Sequence, residues 1–113
     1  MKSLFSFALS IVLAFAAFTA NARVVYKADY ESQADLSVYV ADYESQSDLS
    51  VYEVDYESRS DEDGLWYFAD YESQADKSIY FVEYESQADL VIYFVDYSSR
   101  AGWNEESKKH LLR

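Results

Sequence analysis

The feature that most constrains this chain is a unit of thirteen residues that is repeated six times. The units begin at Val25, Val38, Val51, Trp66, Ile79 and Ile92, so their spacings are 13, 13, 15, 13 and 13. The twelve tyrosines all occur as Tyr-x-x-x-Tyr pairs at the same two places in the unit: 26/30, 39/43, 52/56, 67/71, 80/84 and 93/97. The fold must therefore accommodate six nearly equivalent units.

Each unit combines a strand-like segment with a turn-like segment. Residues 79–84 of the fifth unit are rich in β-branched and aromatic residues, which is typical of strands. Period-two alternation places its two tyrosines and Val82 on one face and the other three residues on the opposite face. The polar segment E-S-Q-A-D at 85–89 has the composition of a turn. We therefore predict a strand over V-Y-x-x-D-Y in every unit and a turn at E-S-Q-A-D.

The length of the unit limits how six such strands can be arranged. Thirteen residues are fewer than the roughly 20–50 of common solenoid repeats, so a unit holds one strand and one turn. An open six-stranded sheet would expose two edges that are prone to aggregation. Closure of the last repeat on the first removes both edges. The sequence thus predicts an all-β domain, closed and ring-like, with an enlarged turn at the two-residue insertion within 61–64.

The N-terminus has the pattern of a secretory signal peptide. Lys2 precedes an apolar stretch from Leu4 to Phe18, and Thr19-Ala20-Asn21-Ala22 supplies an A-x-A cleavage site. The stretch is shorter than the roughly 20 residues needed to span a bilayer, which disfavours a membrane anchor. We therefore predict a signal peptide over 1–22 with cleavage after Ala22, a repeat domain over 23–104 and a polar tail over 105–113. The expected location is periplasmic or extracellular.

Composition restricts the partners and the sources of stability. Removal of Lys2 with the signal peptide takes the net charge from −12 to −13, which favours cations and basic partners over nucleic acid and anionic lipid. The chain has no cysteine and one histidine, so neither disulfides nor a zinc finger is expected. Stability must come from packing, topology or oligomerisation, and we expect a monomer with no membrane insertion of the mature chain.

The repeat resembles a known family. The recurring V-Y-x-V-D-Y-E-S-Q-A-D-L unit, the break at Gly64-Leu65-Trp66-Tyr67-Phe68 and the ending Ser99-Arg100-Ala101-Gly102-Trp103 are similar to the septoil knot domain, a family of small bacterial proteins. The resemblance covers about residues 24–104. It implies a compact all-β ring whose backbone forms a seven-crossing torus knot. It implies no established activity.

Chemistry-bearing residues recur without the asymmetry that an active site needs. A glycosidase requires two carboxylates in different environments, whereas the repeated acids occupy equivalent positions, and the E-S-Q serines have no histidine within the repeats. The repeated acids are Asp29, Asp42, Asp55, Asp70, Glu83 and Asp96, followed by Glu31, Glu44, Glu57, Glu72 and Glu85. We therefore predict that the protein is not an enzyme and assign no catalytic, cofactor or metal residues.

Two classes of function remain open. The first is a highly stable exported structural or interaction domain with a protein or envelope partner, in which the tyrosines are core residues. The second is a calcium- or glycan-binding module that uses the acidic segment Asp61-Glu62-Asp63 or a tyrosine-rich surface. Exposure of the tyrosine hydroxyls discriminates between structure and binding, because buried, paired hydroxyls favour a structural role whereas a concave exposed row favours binding.

Overall fold

The computed structural model describes residues 21–113, in which six parallel strands close into a barrel. All but two residues of the predicted signal peptide lie outside the described residues. The barrel strands are β1 (Val24–Lys27), β2 (Leu36–Val40), β3 (Leu49–Glu53), β4 (Leu65–Phe68), β5 (Lys77–Phe81) and β6 (Leu90–Phe94). A two-residue strand, β7 (Gly102–Trp103), pairs antiparallel to β3.

The strand order shows that the chain passes round the barrel twice. The order is β4-β1-β5-β2-β6-β3, and β3 also pairs with β4, which closes the ring. Strands β1 to β3 form one circuit, and β4 to β6 form a second circuit whose strands lie between those of the first. The pairs β1–β5, β2–β5, β2–β6 and β3–β6 all join distant repeats. The prediction of a closed all-β ring is confirmed, and an open meander is excluded.

The strands begin and end earlier in the unit than the sequence pattern predicted. Strand β2 covers Leu36–Val40, so it includes the L-S pair before V-Y and ends before D-Y. The D-Y residues lie in the connection, where the second tyrosine precedes a short 3-10 turn. The six turns, called the E-S-Q turns below, are Glu31–Gln33, Glu44–Gln46, Glu57–Arg59, Glu72–Gln74, Glu85–Gln87 and Ser98–Arg100. The predicted turn position is therefore correct.

The first residue of each unit fills the centre of the barrel. All six of these side chains are fully buried: Val25, Val38, Val51, Trp66, Ile79 and Ile92. The leucines two residues before Val38, Val51 and Ile92 are also buried and belong to the same core cluster; they are Leu36, Leu49 and Leu90. Side chains two positions apart point to the same side of a strand, so these layers stack along the barrel axis. The barrel interior is a packed apolar core.

The C-terminal residues extend the core at the end of the barrel where the strands begin. A 3-10 helix over Glu106–Leu112 places the Leu112 side chain, which is 2% exposed, in the core cluster beside Ala22. The backbone N–H of Ala22 donates to the carbonyl oxygen of Leu112. Within residues 21–113 there is no helix with the length and apolar character needed to cross a membrane.

Candidate functional site

A repeated aspartate joins the two circuits of the chain. The backbone N–H of Asp48 donates to the carbonyl of Val91 at 2.7 Å, and the N–H of Val91 donates to the Asp48 carboxylate at 2.9 Å. The carboxylate thus extends the backbone ladder by one hydrogen bond. Three further pairs show the same reciprocal contacts: Asp35 with Ser78, Asp89 with Ser37, and Asp76 with Val24. These aspartates have a structural role, which sequence reasoning missed.

The glutamates of the E-S-Q turns also hold buried groups. Ser50 is 1% exposed, and its hydroxyl donates to the Glu44 carboxylate at 3.2 Å. Equivalent contacts join Ser37 to Glu31 at 3.5 Å and Ser78 to Glu72 at 3.3 Å. A buried hydroxyl without a partner would be destabilising. The acidic positions of the turns therefore satisfy polar groups on the outer face of the barrel.

The insertion contains a carboxylate that connects three parts of the chain. Asp63 accepts hydrogen bonds from Asn21 Nδ2 at 2.9 Å, Arg23 at 3.0 Å and Trp103 Nε1 at 3.1 Å. Burial of the Asp63 carboxyl raises its pKa. The hydrogen bonds from Arg23 and Asn21, the Arg23 charge and the Trp103 N–H lower the pKa by more, so the net shift is downward. Asp63 therefore links the first strand to the last.

Gly64 allows the insertion to pack closely against the end of the repeat domain. Its φ is +89°, and a Cβ atom there would lie 2.7 Å from the backbone nitrogen of Gly102 and 2.7 Å from the carbonyl oxygen of Ser50. Its own carbonyl accepts from the N–H of Tyr52 at 2.9 Å. Asp63 and Gly64 therefore hold the enlarged turn against Gly102-Trp103.

The barrel has an open mouth at the end where the six strands finish. A cavity of about 400 Å³ is lined by the last residue of each strand: Lys27, Val40, Glu53, Phe68, Phe81 and Phe94. Four of the six side chains are apolar. The Nζ atom of Lys27 lies 5.6 Å from the centroid of the Phe81 ring, and this distance is typical of a cation–π contact. We call these six residues the mouth.

The two tyrosines of each unit lie in different environments. The first is half-buried on the outer face of its strand, as Tyr80 illustrates. The second belongs to a set that we call the tyrosine array: Tyr30, Tyr43, Tyr56, Tyr71, Tyr84 and Tyr97, which are 64–68% exposed. Their backbones are nearly identical, with φ from −125° to −132° and ψ from 136° to 141°. The hypothesis that all twelve tyrosines are core residues is therefore wrong for the array, because the strands end before these positions.

The remaining candidate groups of the sequence do not form a site. Within residues 21–113, no group of three or more histidine, cysteine, aspartate or glutamate side chains is placed to hold a metal ion. Asp29, Asp42, Asp55, Asp70 and Asp96 are exposed. His110 is exposed in the C-terminal 3-10 helix, and its Nδ1 lies 2.9 Å from the carbonyl oxygen of Ser107. The serines of the E-S-Q turns are exposed as well.

Sequence reasoning also missed the mouth. The sequence signal for the mouth is the third position of each unit, which is apolar in four units, lysine in the first and glutamate in the third. That difference gains meaning only when closure brings the six positions to one end of a barrel.

Comparison with known proteins agrees with this architecture. Neither the curated proteins nor the solved structures contain a significant match to the chain. A scan against protein-family models matches the 7(1) septoil knot domain over residues 22–104, which spans all six repeats and β7. The resemblance inferred from the repeat, the central break and the ending is confirmed, and the chain belongs to the septoil knot domain family.

Proposed function

We propose that the protein is an exported, non-enzymatic interaction domain, and that its barrel presents the tyrosine array to a basic protein partner. The observation that carries this proposal is the equal exposure of the six array tyrosines, at 64–68%. A tyrosine in the core would be covered by its neighbours. Six large aromatic side chains held outward in one backbone conformation are instead suited to contact a partner, because tyrosine supplies a large contact area with a polar tip.

The charges around the array favour a basic partner. In the first four units each array tyrosine lies between an aspartate and a glutamate, as in Asp42-Tyr43-Glu44. The fifth unit has glutamate on both sides. Arginine and lysine side chains pair with carboxylates and also pack on tyrosine rings. The net charge of −13 after signal-peptide removal adds long-range attraction for a cationic surface.

The local structure at Arg23 supports export with cleavage after Ala22. The backbone nitrogen of Arg23 lies 3.2 Å from the Asp76 carboxylate. Cleavage would turn this nitrogen into an α-ammonium group beside a carboxylate, which is a favourable pair. Cleavage would also remove the contacts of Asn21 with Asp63 and of Ala22 with Leu112. Mass spectrometry of the exported protein should find Arg23 at the N-terminus, and an intact Met1 in the membrane fraction would contradict this.

The absence of enzymatic activity is supported by the chemistry of the carboxylates and hydroxyls. A general acid needs a raised pKa, whereas the Asp63 carboxyl has a lowered pKa and is held by Arg23. The hydroxyls of Ser37, Ser50 and Ser78 donate to glutamates rather than to a histidine base. An adjacent histidine is the commonest base that activates a serine nucleophile.

The binding test separates the tyrosines from the net charge. A variant with all six array tyrosines changed to serine keeps every charge, so non-specific attraction for cations stays unchanged. Binding of a fluorescent arginine-rich peptide, measured by anisotropy at physiological salt, should weaken about tenfold or more in this variant because six contacts are lost together. The matched control changes four exposed glutamines of the E-S-Q turns to serine: Gln33, Gln46, Gln74 and Gln87.

The outcomes distinguish this proposal from its alternatives. Equal peptide affinity for the array variant and the glutamine control would show that net charge alone attracts the peptide, and would contradict the array as a binding surface. Loss of binding to a glycan panel, with no change for the peptide, would favour the glycan-binding alternative. Calcium binding by the parent protein in isothermal calorimetry would favour the calcium alternative.

A further inference from the structure

The mouth differs from the rest of the barrel because its six equivalent positions are chemically unequal. The central layer is uniformly apolar, whereas the mouth carries Val40, three phenylalanines, and the charged residues Lys27 and Glu53. A barrel end that served only to finish the core would need no charge there, because burial of a charged group is unfavourable. Lys27 and Glu53 are both exposed at the rim.

The strand order places the two charges on either side of Phe68. Lys27 ends β1 and Glu53 ends β3, and both strands pair with β4, which ends at Phe68. Neighbouring strands are also offset by two residues here, since Glu53 pairs with Trp66 and Val25 with Phe68, so the two charges lie about 14 Å apart between backbones. The three ion pairs of the described residues are Arg23–Asp63, Arg100–Glu44 and Lys109–Glu106, so neither mouth charge is among them.

We propose that the mouth binds a small zwitterion with an apolar body, the class of apolar α-amino acids. The Lys27 ammonium would take the ligand carboxylate, and the Glu53 carboxylate would take the ligand ammonium. The apolar body would lie against Phe68, Phe81 and Phe94. The cavity of about 400 Å³ is within the range of about 300–1,000 Å³ for small-molecule sites, which are mostly apolar with a few polar groups. The site is separate from the tyrosine array and does not depend on it.

The alternative occupants fit the two charges less well. A purely apolar ligand would leave both charges at its edge without partners. A ligand with only one charge would satisfy one side chain and bring an apolar surface against the other, which is unfavourable. A zwitterion pairs both groups at once, and such charge-assisted hydrogen bonds are the stronger kind.

The test uses four ligands that share one apolar body. L-phenylalanine has both charges, 3-phenylpropionate has only the carboxylate, phenethylamine has only the ammonium, and N-acetyl-L-phenylalaninamide has neither. Binding of each to the exported protein is measured by isothermal calorimetry or by ligand-observed NMR. L-phenylalanine should bind about tenfold more tightly than either singly charged analogue, because each analogue lacks one charged hydrogen bond.

Two variants assign each charge to its partner. Lys27→Gln should weaken binding of L-phenylalanine and 3-phenylpropionate but leave phenethylamine unchanged. Glu53→Gln should weaken binding of L-phenylalanine and phenethylamine but leave 3-phenylpropionate unchanged. Arg59→Gln and Glu62→Gln are the matched controls, since each removes one exposed charge of the same sign outside the mouth. Thermal unfolding of every variant tests whether the fold is retained.

Any of three results would overturn the proposal. One is equal affinity for L-phenylalanine and the neutral N-acetyl amide. Another is no detectable binding of L-phenylalanine at about 10 mM, which is ten times a Kd of 1 mM and would saturate even such a weak site. Retained binding of the zwitterion in both charge variants would also overturn it.

Discussion

Replacement of Asp63 should destabilise the protein more than replacement of either other acidic residue of the insertion, Asp61 or Glu62. Asp63→Ala removes the acceptor for Arg23 at 3.0 Å and for Trp103 at 3.1 Å. Hydrogen bonds to charged groups contribute about 1.5–3 kcal/mol each. The Arg23 and Asp63 side chains keep 28% and 25% of their surface exposed, so the lower part of that range applies. We expect a loss of about 2–4 kcal/mol from a domain stability that is typically about 5–15 kcal/mol.

The loss of stability on replacement of Asp63 should depend on pH, because the pKa of Asp63 is lower in the folded state. Burial raises this pKa, but the hydrogen bonds and the charge of Arg23 hold it below the ordinary value of 3.8. A carboxyl whose pKa is lower in the folded state stabilises the fold at pH values above 3.8, and this contribution is lost as the pH falls through the folded pKa. The difference in stability between the parent protein and Asp63→Asn should therefore be largest near neutral pH and should shrink in acid.

The measurement is urea unfolding followed by the fluorescence of Trp66 and Trp103, at neutral pH and at pH values on either side of 3.8. Asp61→Ala is the matched control, because Asp61 is an exposed acid of the same segment. Asp63→Asn should lie between the parent and Asp63→Ala, since its amide keeps one acceptor. The reasoning would be refuted if Asp63→Ala cost no more than Asp61→Ala, or if its cost were independent of pH.

Three other predictions follow from the contacts. Asp48→Ala should lower the free energy of unfolding by about 1–2 kcal/mol because it leaves the N–H of Val91 without its acceptor. Asp42→Ala at an exposed position should change this free energy by less than about 0.5 kcal/mol. Equal losses in urea unfolding would contradict the structural role of the Asp48 carboxylate. Tyr80→Ala should cost about 1–2 kcal/mol and Tyr84→Ala less than about 0.5 kcal/mol, because only the former side chain is half-buried; a large loss for Tyr84→Ala would place that ring in the core. Stopped-flow refolding should be slow for a proline-free chain, because distant repeats must interleave and, as we predict from the family, the chain must thread through a knot; refolding in milliseconds would argue against that topology.

Most of the architecture could be predicted from the sequence, because the repeat determines the strands, the turns and the need for closure. Six equivalent segments rich in β-branched and aromatic residues indicated strands, and the danger of open edges indicated closure. The E-S-Q turns were placed correctly because serine, glutamate and glutamine interrupt the apolar pattern. The order of strands was not accessible from periodicity, because near-identical units give no information about which repeats pair. The interleaved order was found only in the structure.

The errors have physical causes in particular residues. Alternation from Ile79 to Tyr84 placed both tyrosines on one strand face, but β5 ends at Phe81, so Tyr84 lies in the connection. Asp48 seemed an ordinary turn residue, because its partner Val91 is 43 residues away. Asp63 was assigned only to an enlarged acidic turn for the same reason, since Arg23 is 40 residues distant. Contacts of such long range depend on topology, which local patterns do not contain.

Some positions of the repeat stabilise the fold, and other positions form the binding surfaces that we propose. The first position of each unit fills the core, and Asp48 and its three equivalents join the two circuits. These roles tolerate little variation, since each side chain is buried or paired. The array tyrosines are exposed, and the mouth residues line an open cavity, although Phe68 and Phe81 also pack against the core. Six identical exposed rings suit a repetitive partner surface, whereas the unequal mouth suits a single small ligand. A scaffold closed by its own repeats can therefore carry the two binding surfaces that we propose, and these can change independently of the core.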